Sequence, residues 1–174
     1  MALNLEQKQA VVAEVAEVAA NAYSVIAAEY QGITVDEITA LRVDARKNGV
    51  YLRVVKNSLA KLALKDTEFE CVNETLVGPL VLAFSQEEPG AAARLLKDFA
   101  KENDKLVVKS IGFGGQLLDA SELGRMASMP TYDQAVAMLM SVMRAPLDKF
   151  ARTLNEVPGK LVRTVAAVKD SKAA

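Results

Sequence analysis

Nine residues, Lys149-Phe-Ala-Arg-Thr-Leu-Asn-Glu-Val157, return eleven positions later as Lys160-Leu-Val-Arg-Thr-Val-Ala-Ala-Val168. Four of the nine are identical and three more exchange one apolar residue for another. Eleven residues are close to three turns of α-helix, so each copy presents the same side. On a helix, Leu139, Met143, Phe150, Leu154, Val157, Leu161, Val165 and Val168 fall on one apolar stripe, with Asp148, Arg152 and Arg163 well off it. A continuous helix from Thr131 to Asp170 would be roughly 60 Å long, longer than a small domain is wide. An amphipathic helix usually buries such a stripe on its own domain. A stripe that repeats over this length points instead to identical partners docking in series. Five of the six Met (Met126, Met129, Met138, Met140 and Met143) cluster near its start, where a flexible thioether suits an adaptable surface.

The strong apolar content matters for what precedes the repeat. At 174 residues and 51% hydrophobic, the chain can build one cored domain plus an appendage, or two small domains. The early apolar run from Val11 to Ala28 carries Glu14 and Glu17, which excludes a membrane span. Glu6 and Lys8 come before it, unlike a signal peptide. A single cysteine, Cys71, forbids an internal disulfide and fits a reducing compartment. The expected address is cytoplasmic.

Local patterns divide residues 1–129 into alternating helices and strands. Asn4 caps a helix to Ala20, with Val11, Val15 and Val18 at helical spacing. Tyr23 to Tyr30 reads as a buried strand. Thr34-Val-Asp-Glu37 matches a capping box and opens a second helix, stopped at Asn48-Gly49. Val50 to Val55 is a β-branched strand, and Asn57 or Ser58 caps a third helix to Leu64. Asp66 to Gly78 reads as a loop. Pro79 to Ser85 is a strand, Glu88-Pro89 opens a helix to about Glu102, and Leu106 to Ile111 is a strand broken by Gly112-Phe-Gly-Gly115. Asp119 or Ser121 begins a short helix to Ser128. The expectation is an α/β (α+β) domain over 1–129, with a mixed or antiparallel four-stranded sheet layered with helices. A C-terminal helical spine follows over 131–170. Pro146 and Pro158-Gly159 predict that this spine is jointed. The pattern leaves strand order open.

Net charge is only −1, yet the charge is unevenly placed. Arg42, Arg46, Lys47, Arg53, Lys56, Lys61 and Lys65 fall within 24 residues, with Asp44 the one acid among them. Charge runs are usually solvated faces. Here they occupy the end of one helix, a strand and the start of the next helix. Arg42 and Arg46 lie one turn apart and project together. Lys56-Asn57-Ser58 stands at a helix start, where backbone N–H groups suit a phosphate, and arginines add bidentate contacts. No row of aromatics offers a stacking platform. This favours backbone and shape recognition of folded RNA over base readout.

Enzyme chemistry finds little support. Histidine is absent, which leaves Cys71 without an activating imidazole and removes the commonest metal ligand. A zinc site lacks ligands, and no cofactor is expected. Gly112-Phe-Gly-Gly115 has neither the third glycine of a dinucleotide fingerprint nor the Lys-Ser/Thr of a P-loop. Glu87-Glu88, and Glu68 with Glu70, read as exposed loop charges.

Leu41-Arg42, Arg46-Lys47, Gly49 and above all Val54-Val55-Lys56-Asn57-Ser58-Leu59 resemble the N-terminal signature of bacterial large-subunit ribosomal protein ten, the protein family at the base of the ribosomal stalk. Val77-Gly78-Pro79, Pro89-Gly-Ala-Ala-Ala-Arg94 and Gly159-Lys-Leu-Val-Arg-Thr164 are similar to family patterns as well, so the resemblance covers essentially residues 1–170. It implies a globular domain that grips large-subunit rRNA beside ribosomal protein eleven; with the charge pattern, the expected contact residues are Arg42, Arg46, Lys47, Asn48, Arg53, Lys56, Asn57, Ser58 and Lys61. It implies that the stripe residues of the spine carry two or three dimers of the acidic stalk protein, which recruit GTP-bound translation factors. Some members of the family also repress translation of their own message. The alternative is a cytosolic adaptor whose C-terminal helix pairs with another helical protein, its basic patch being incidental.

Overall fold

The computed structural model describes residues 4–65, 67–103 and 105–173, and the side chains of all of these except Val157 and Ala173. The chain divides into two compact units, Met1–Thr131 and Tyr132–Ala174.

In the first unit the elements run α1 (Leu5–Ala20), β1 (Ser24–Glu29), α2 (Val35–Lys47), β2 (Val50–Val54), α3 (Asn57–Ala63), a 3-10 turn at Glu70–Glu74, β3 (Leu80–Ser85), α4 (Ala91–Glu102), β4 (Val107–Phe113), β5 (Gln116–Asp119), a second 3-10 turn at Ala120–Glu122 and α5 (Leu123–Ala127). The strands form one five-stranded sheet in the order β2-β3-β1-β4-β5, and every neighbouring pair is antiparallel. The α/β (α+β) layering expected from the sequence is present.

Both early helices start as their sequences dictate. Asn4 and Gln7 close a capping box on α1, and Thr34 and Glu37 close one on α2. The Glu37 carboxylate accepts from the Thr34 N–H at 2.7 Å, and the Thr34 hydroxyl accepts from the Glu37 N–H at 3.3 Å. These bonds satisfy N–H groups that the helix itself leaves unpaired.

The sheet is covered on both faces. Ile26, Ala28, Val81 and Ala83 face one core with Leu41 and Ala45 of α2, Leu95 and Leu96 of α4, and Met126 of α5. Val25, Ala27, Leu80, Leu82 and Phe84 face a second core with Val15 and Val18 of α1, Ala60 and Ala63 of α3, and Phe69 and Val72 around the first 3-10 turn. This alternation is why β1 and β3 read as unbroken apolar runs: they are central strands with both faces buried. Three serines are buried at the sheet, and each is bonded. Ser24 donates to the Pro89 carbonyl at 2.8 Å, Ser85 accepts from the Ala92 N–H at 3.1 Å, and Ser110 shares a 2.7 Å bond with Thr75.

The structure corrects the expectation at four places. The sheet has five strands rather than four. β4 runs on through Gly112 and Phe113, and Gly114-Gly115, at φ +55° and +75°, make the two-residue turn into β5. Such a loop needs positive φ at both positions, which glycine adopts freely. Within the loop expected over 66–78, the described residues carry a 3-10 turn whose Phe69, Val72 and Leu76 are buried. They reach the sheet over Gly112, where a Cβ would stand 2.6 Å from Val72 and 2.8 Å from Val25. The residue capping α3 is Lys56, with no side-chain bond; neither Asn57 nor Ser58 serves. The helix after Pro89 begins at Ala91, with Gly90 at its cap.

The second unit is α6 (Tyr132–Ala173), a helix of 42 residues. Its helical backbone continues on both sides of Pro146 and Pro158. Each proline removes one intrahelical hydrogen bond and marks a place where a helix bends.

Candidate nucleic-acid interface

β2 is an edge strand, so its outer backbone N–H and C=O groups have no sheet neighbour. The basic residues gather around that edge from both layers of the domain. Arg42 and Arg46 are exposed on α2, and with Ala45, Val50, Tyr51, Leu52, Arg53 and Val54 they line a groove of about 480 Å³. Lys56 stands exposed where the chain leaves β2, and Lys61 is exposed on α3. Lys47 and Asn48 lie at the C-terminal end of α2. Lys47 there pairs with Asp44 at 3.0 Å, and Asn48 donates to the Asp44 carbonyl at 2.9 Å.

Strand alternation sends Arg53 to the α1 side of the sheet, where its environment differs from that of Arg42 and Arg46. Its guanidinium forms an ion pair with Glu14 of α1 and donates to the Tyr51 hydroxyl at 2.8 Å. That hydroxyl donates in turn to Glu14 at 2.7 Å. The bonds from Arg53 and then Tyr51 hold the Glu14 carboxyl below its usual range. Burial, followed by the bond to Glu14, pushes the Tyr51 phenol up. Arg53 is therefore fixed in place and partly neutralised. Arg42, Arg46, Lys56 and Lys61 make no ion pair among the described residues, and their charge is directed to solvent.

Two separate sequence stretches meet beside this edge. Lys56-Asn57-Ser58 lies against Gly78-Pro79, and the Asn57 amide donates to the Gly78 carbonyl at 2.9 Å. Sequence reasoning singled out both stretches but had no means of joining them. A concavity of about 580 Å³ between α2 and α4 is unsuited to phosphates, because Asp44, Glu87, Glu88, Asp98 and Glu102 outnumber Lys47 and Arg94 in its lining. The carboxylates considered for catalysis make no such site: Glu68, Glu70 and Glu87 are exposed, and Glu88 pairs with Arg94 at 2.8 Å. Among the described residues no cluster of acids, cysteine or histidine could hold a metal, and no helix is long and apolar enough to cross a membrane.

On α6 the apolar stripe is exposed. Leu139, Phe150 and Leu161, at eleven-residue spacing, are 61%, 65% and 62% exposed; Met143, Leu154 and Val165 are 72%, 61% and 61% exposed. Val168 is exposed as well, and the side chain of Val157 lies outside the described residues. The repeat extends to hydrogen bonding. The Thr153 hydroxyl donates to the Phe150 carbonyl, and Thr164 does the same to Leu161, both at 2.8 Å. Sequence reasoning left Val142, Leu147 and Val162 outside the stripe, yet they are 68%, 71% and 68% exposed.

Comparison with known proteins agrees with both halves of this picture. Residues 3–101 match the family model for ribosomal protein L10, and residues 129–157 match that for the ribosomal protein uL10 C-terminal region. The large ribosomal subunit protein uL10 of Thioalkalivibrio sulfidiphilus is 68% identical over 174 residues, covering 100% of this chain and 99% of its own. The proteins of the same name from Alcanivorax borkumensis and Alkalilimnicola ehrlichii are 61% and 60% identical, covering 99% and 100% of this chain and 98% and 99% of their own. A signature strand edge, a repeated helix and full-length identity at this level mean that the chain belongs to the ribosomal protein L10 (uL10) family of the large ribosomal subunit.

Proposed function

We propose that this large-subunit protein, a structural constituent and not an enzyme, joins rRNA to a set of acidic protein dimers. Residues 1–131 bind large-subunit rRNA beside ribosomal protein eleven, with the β2 edge and its flanking cations against phosphates. α6 carries two or three dimers of the acidic stalk protein, and those dimers recruit GTP-bound translation factors. Binding of the same basic edge to the leader of its own message would give autogenous repression.

The observation that carries this reading is the exposed apolar register of α6. Six side chains in two eleven-residue series are each at least 61% exposed. Contiguous apolar surface of several hundred Å² is rare on a soluble protein without a partner. A helical partner can lay its own helices along such a stripe. Arg152, Lys160 and Arg163 flank it and favour an acidic partner, speeding its encounter. The family assignment favours this reading over a free cytosolic adaptor.

Native mass spectrometry of the full chain mixed with its acidic stalk protein tests the proposal. We expect two or three dimers per chain, and one fewer after deletion of residues 159–169. Loss of every dimer, or of none, would mean that the repeat is not a series of independent docking sites.

A further inference from the structure

The cleft between Lys56-Asn57-Ser58 and Gly78-Pro79 has a use beyond phosphate binding. It is an open depression of about 420 Å³, within the size range of small-ligand sites. Tyr30, Val54, Val55, Pro79 and Leu80 supply apolar walls. The bond from the Asn57 amide to the Gly78 carbonyl ties the two sides together. That bond uses the nitrogen of the Asn57 side chain and leaves its carbonyl oxygen, an acceptor, available. The Ser58 hydroxyl is exposed and has no hydrogen bond among the described residues. The exposed Lys56 ammonium stands at the rim.

We propose that this cleft holds one unstacked nucleobase of the bound rRNA, so that the protein reads a base and not only the backbone. The inference rests on the rRNA-binding reading above and extends it. An apolar depression with a hydroxyl and an amide oxygen at its edge suits a splayed base: apolar side chains for the face of the ring, and polar partners for its hydrogen-bonding edge. Charge selects the occupant. Val54 lines both this cleft and the groove of Arg42, Arg46 and Arg53, so a polyanion laid along that groove passes beside the cleft. One pocket takes one base, which is consistent with a chain that has no aromatic platform.

The test compares the full chain with its Ser58→Ala and Ser58→Leu variants on transcribed large-subunit rRNA. Leucine fills the mouth of the cleft, and alanine removes only the hydroxyl; thermal melts confirm that both are folded. Ser58→Leu should weaken binding about tenfold or more, the scale of one lost base contact, and Ser58→Ala by less. The salt dependence should stay that of the parent, because no charge is removed. Base-specific chemical probing should show a nucleotide protected by the parent chain and reactive with Ser58→Leu, while hydroxyl-radical protection of the backbone persists in both. Unchanged affinity and identical base reactivity would overturn the pocket and leave phosphate binding standing. Absence of any footprint from the parent chain would overturn the rRNA reading itself, and the pocket with it. Normal rRNA binding by Ser58→Leu, coupled with failure to enter large subunits, would give the cleft to a protein segment and overturn the proposal.

Discussion

Replacing Arg42, Arg46 and Lys56 together by alanine should flatten the salt dependence of rRNA binding by a calculable amount. These three cations are exposed around the β2 edge, and none is held by an acid among the described residues. Each phosphate contact contributes about 0.7 to 0.9 to the slope of log K against log salt. Removing three contacts should lower the slope by roughly 2 to 3. Between 50 and 200 mM salt, the gap in affinity between parent and variant should narrow by a factor of about 20 to 40. Filter binding or fluorescence anisotropy across that range measures both slopes. Arg53→Ala is the internal contrast. Its guanidinium is already shared by Glu14 and Tyr51, so it should change the slope by less than one contact's worth while loosening α1 from β2. An unchanged slope in the triple variant would refute the assignment of these side chains to phosphates. A full-sized change from Arg53 alone would show that the Glu14 pairing is given up on binding.

A chain stopping at Thr131 should melt cooperatively by circular dichroism, because both apolar clusters lie within the first unit; aggregation would show that α6 contributes to the fold. Gly112→Ala should lower the unfolding free energy from urea titration by about 1 to 3 kcal/mol, since its Cβ would meet Val72 and Val25 inside normal contact distance; unchanged stability would mean that the 3-10 turn yields freely. Glu14→Gln should flatten the acid limb of the stability profile. The Glu14 pKa is depressed by Arg53 and then Tyr51, so its contribution is present above the unfolded carboxylate pKa and is lost as pH falls through the lower folded value. Melts from pH 7 to 3 that keep parent and variant parallel would remove that role.

Much of the first unit was legible because its local signals are complete in themselves. The capping boxes at Asn4 and Thr34 need only two residues three apart, and both form. The apolar runs of β1 and β3 marked central strands. β5 was missed because Leu117 is exposed and Leu118 only half-buried, so the strand lacks an apolar run. The signal available was the preceding glycine pair, which is a hairpin turn in its own right. The 3-10 turn was missed for a different reason. Phe69, Val72 and Leu76 stand at helical spacing, but three apolar positions among acidic and polar residues are too few to mark an element, and two of them pack over Gly112 on a distant strand.

Prolines 146 and 158 illustrate the limit of local rules on α6. Each blocks one hydrogen bond and favours a bend, yet neither ends the helix, which spans both. A helix of 42 residues has many more bonds than the two removed, so interruption is tolerated where continuation is otherwise favourable. The basic edge shows the opposite limit. The count of cations between Arg42 and Lys65 was plain from the sequence, but not their division. Alternation along β2 turns Arg53 toward Glu14 on one side of the sheet, while α2 carries Arg42 and Arg46 on the other. Pairing across layers depends on the fold and not on spacing along the chain. That dependence makes Arg53 a fixed, partly compensated charge, and leaves Arg42, Arg46, Lys56 and Lys61 as the cations most available to an incoming phosphate.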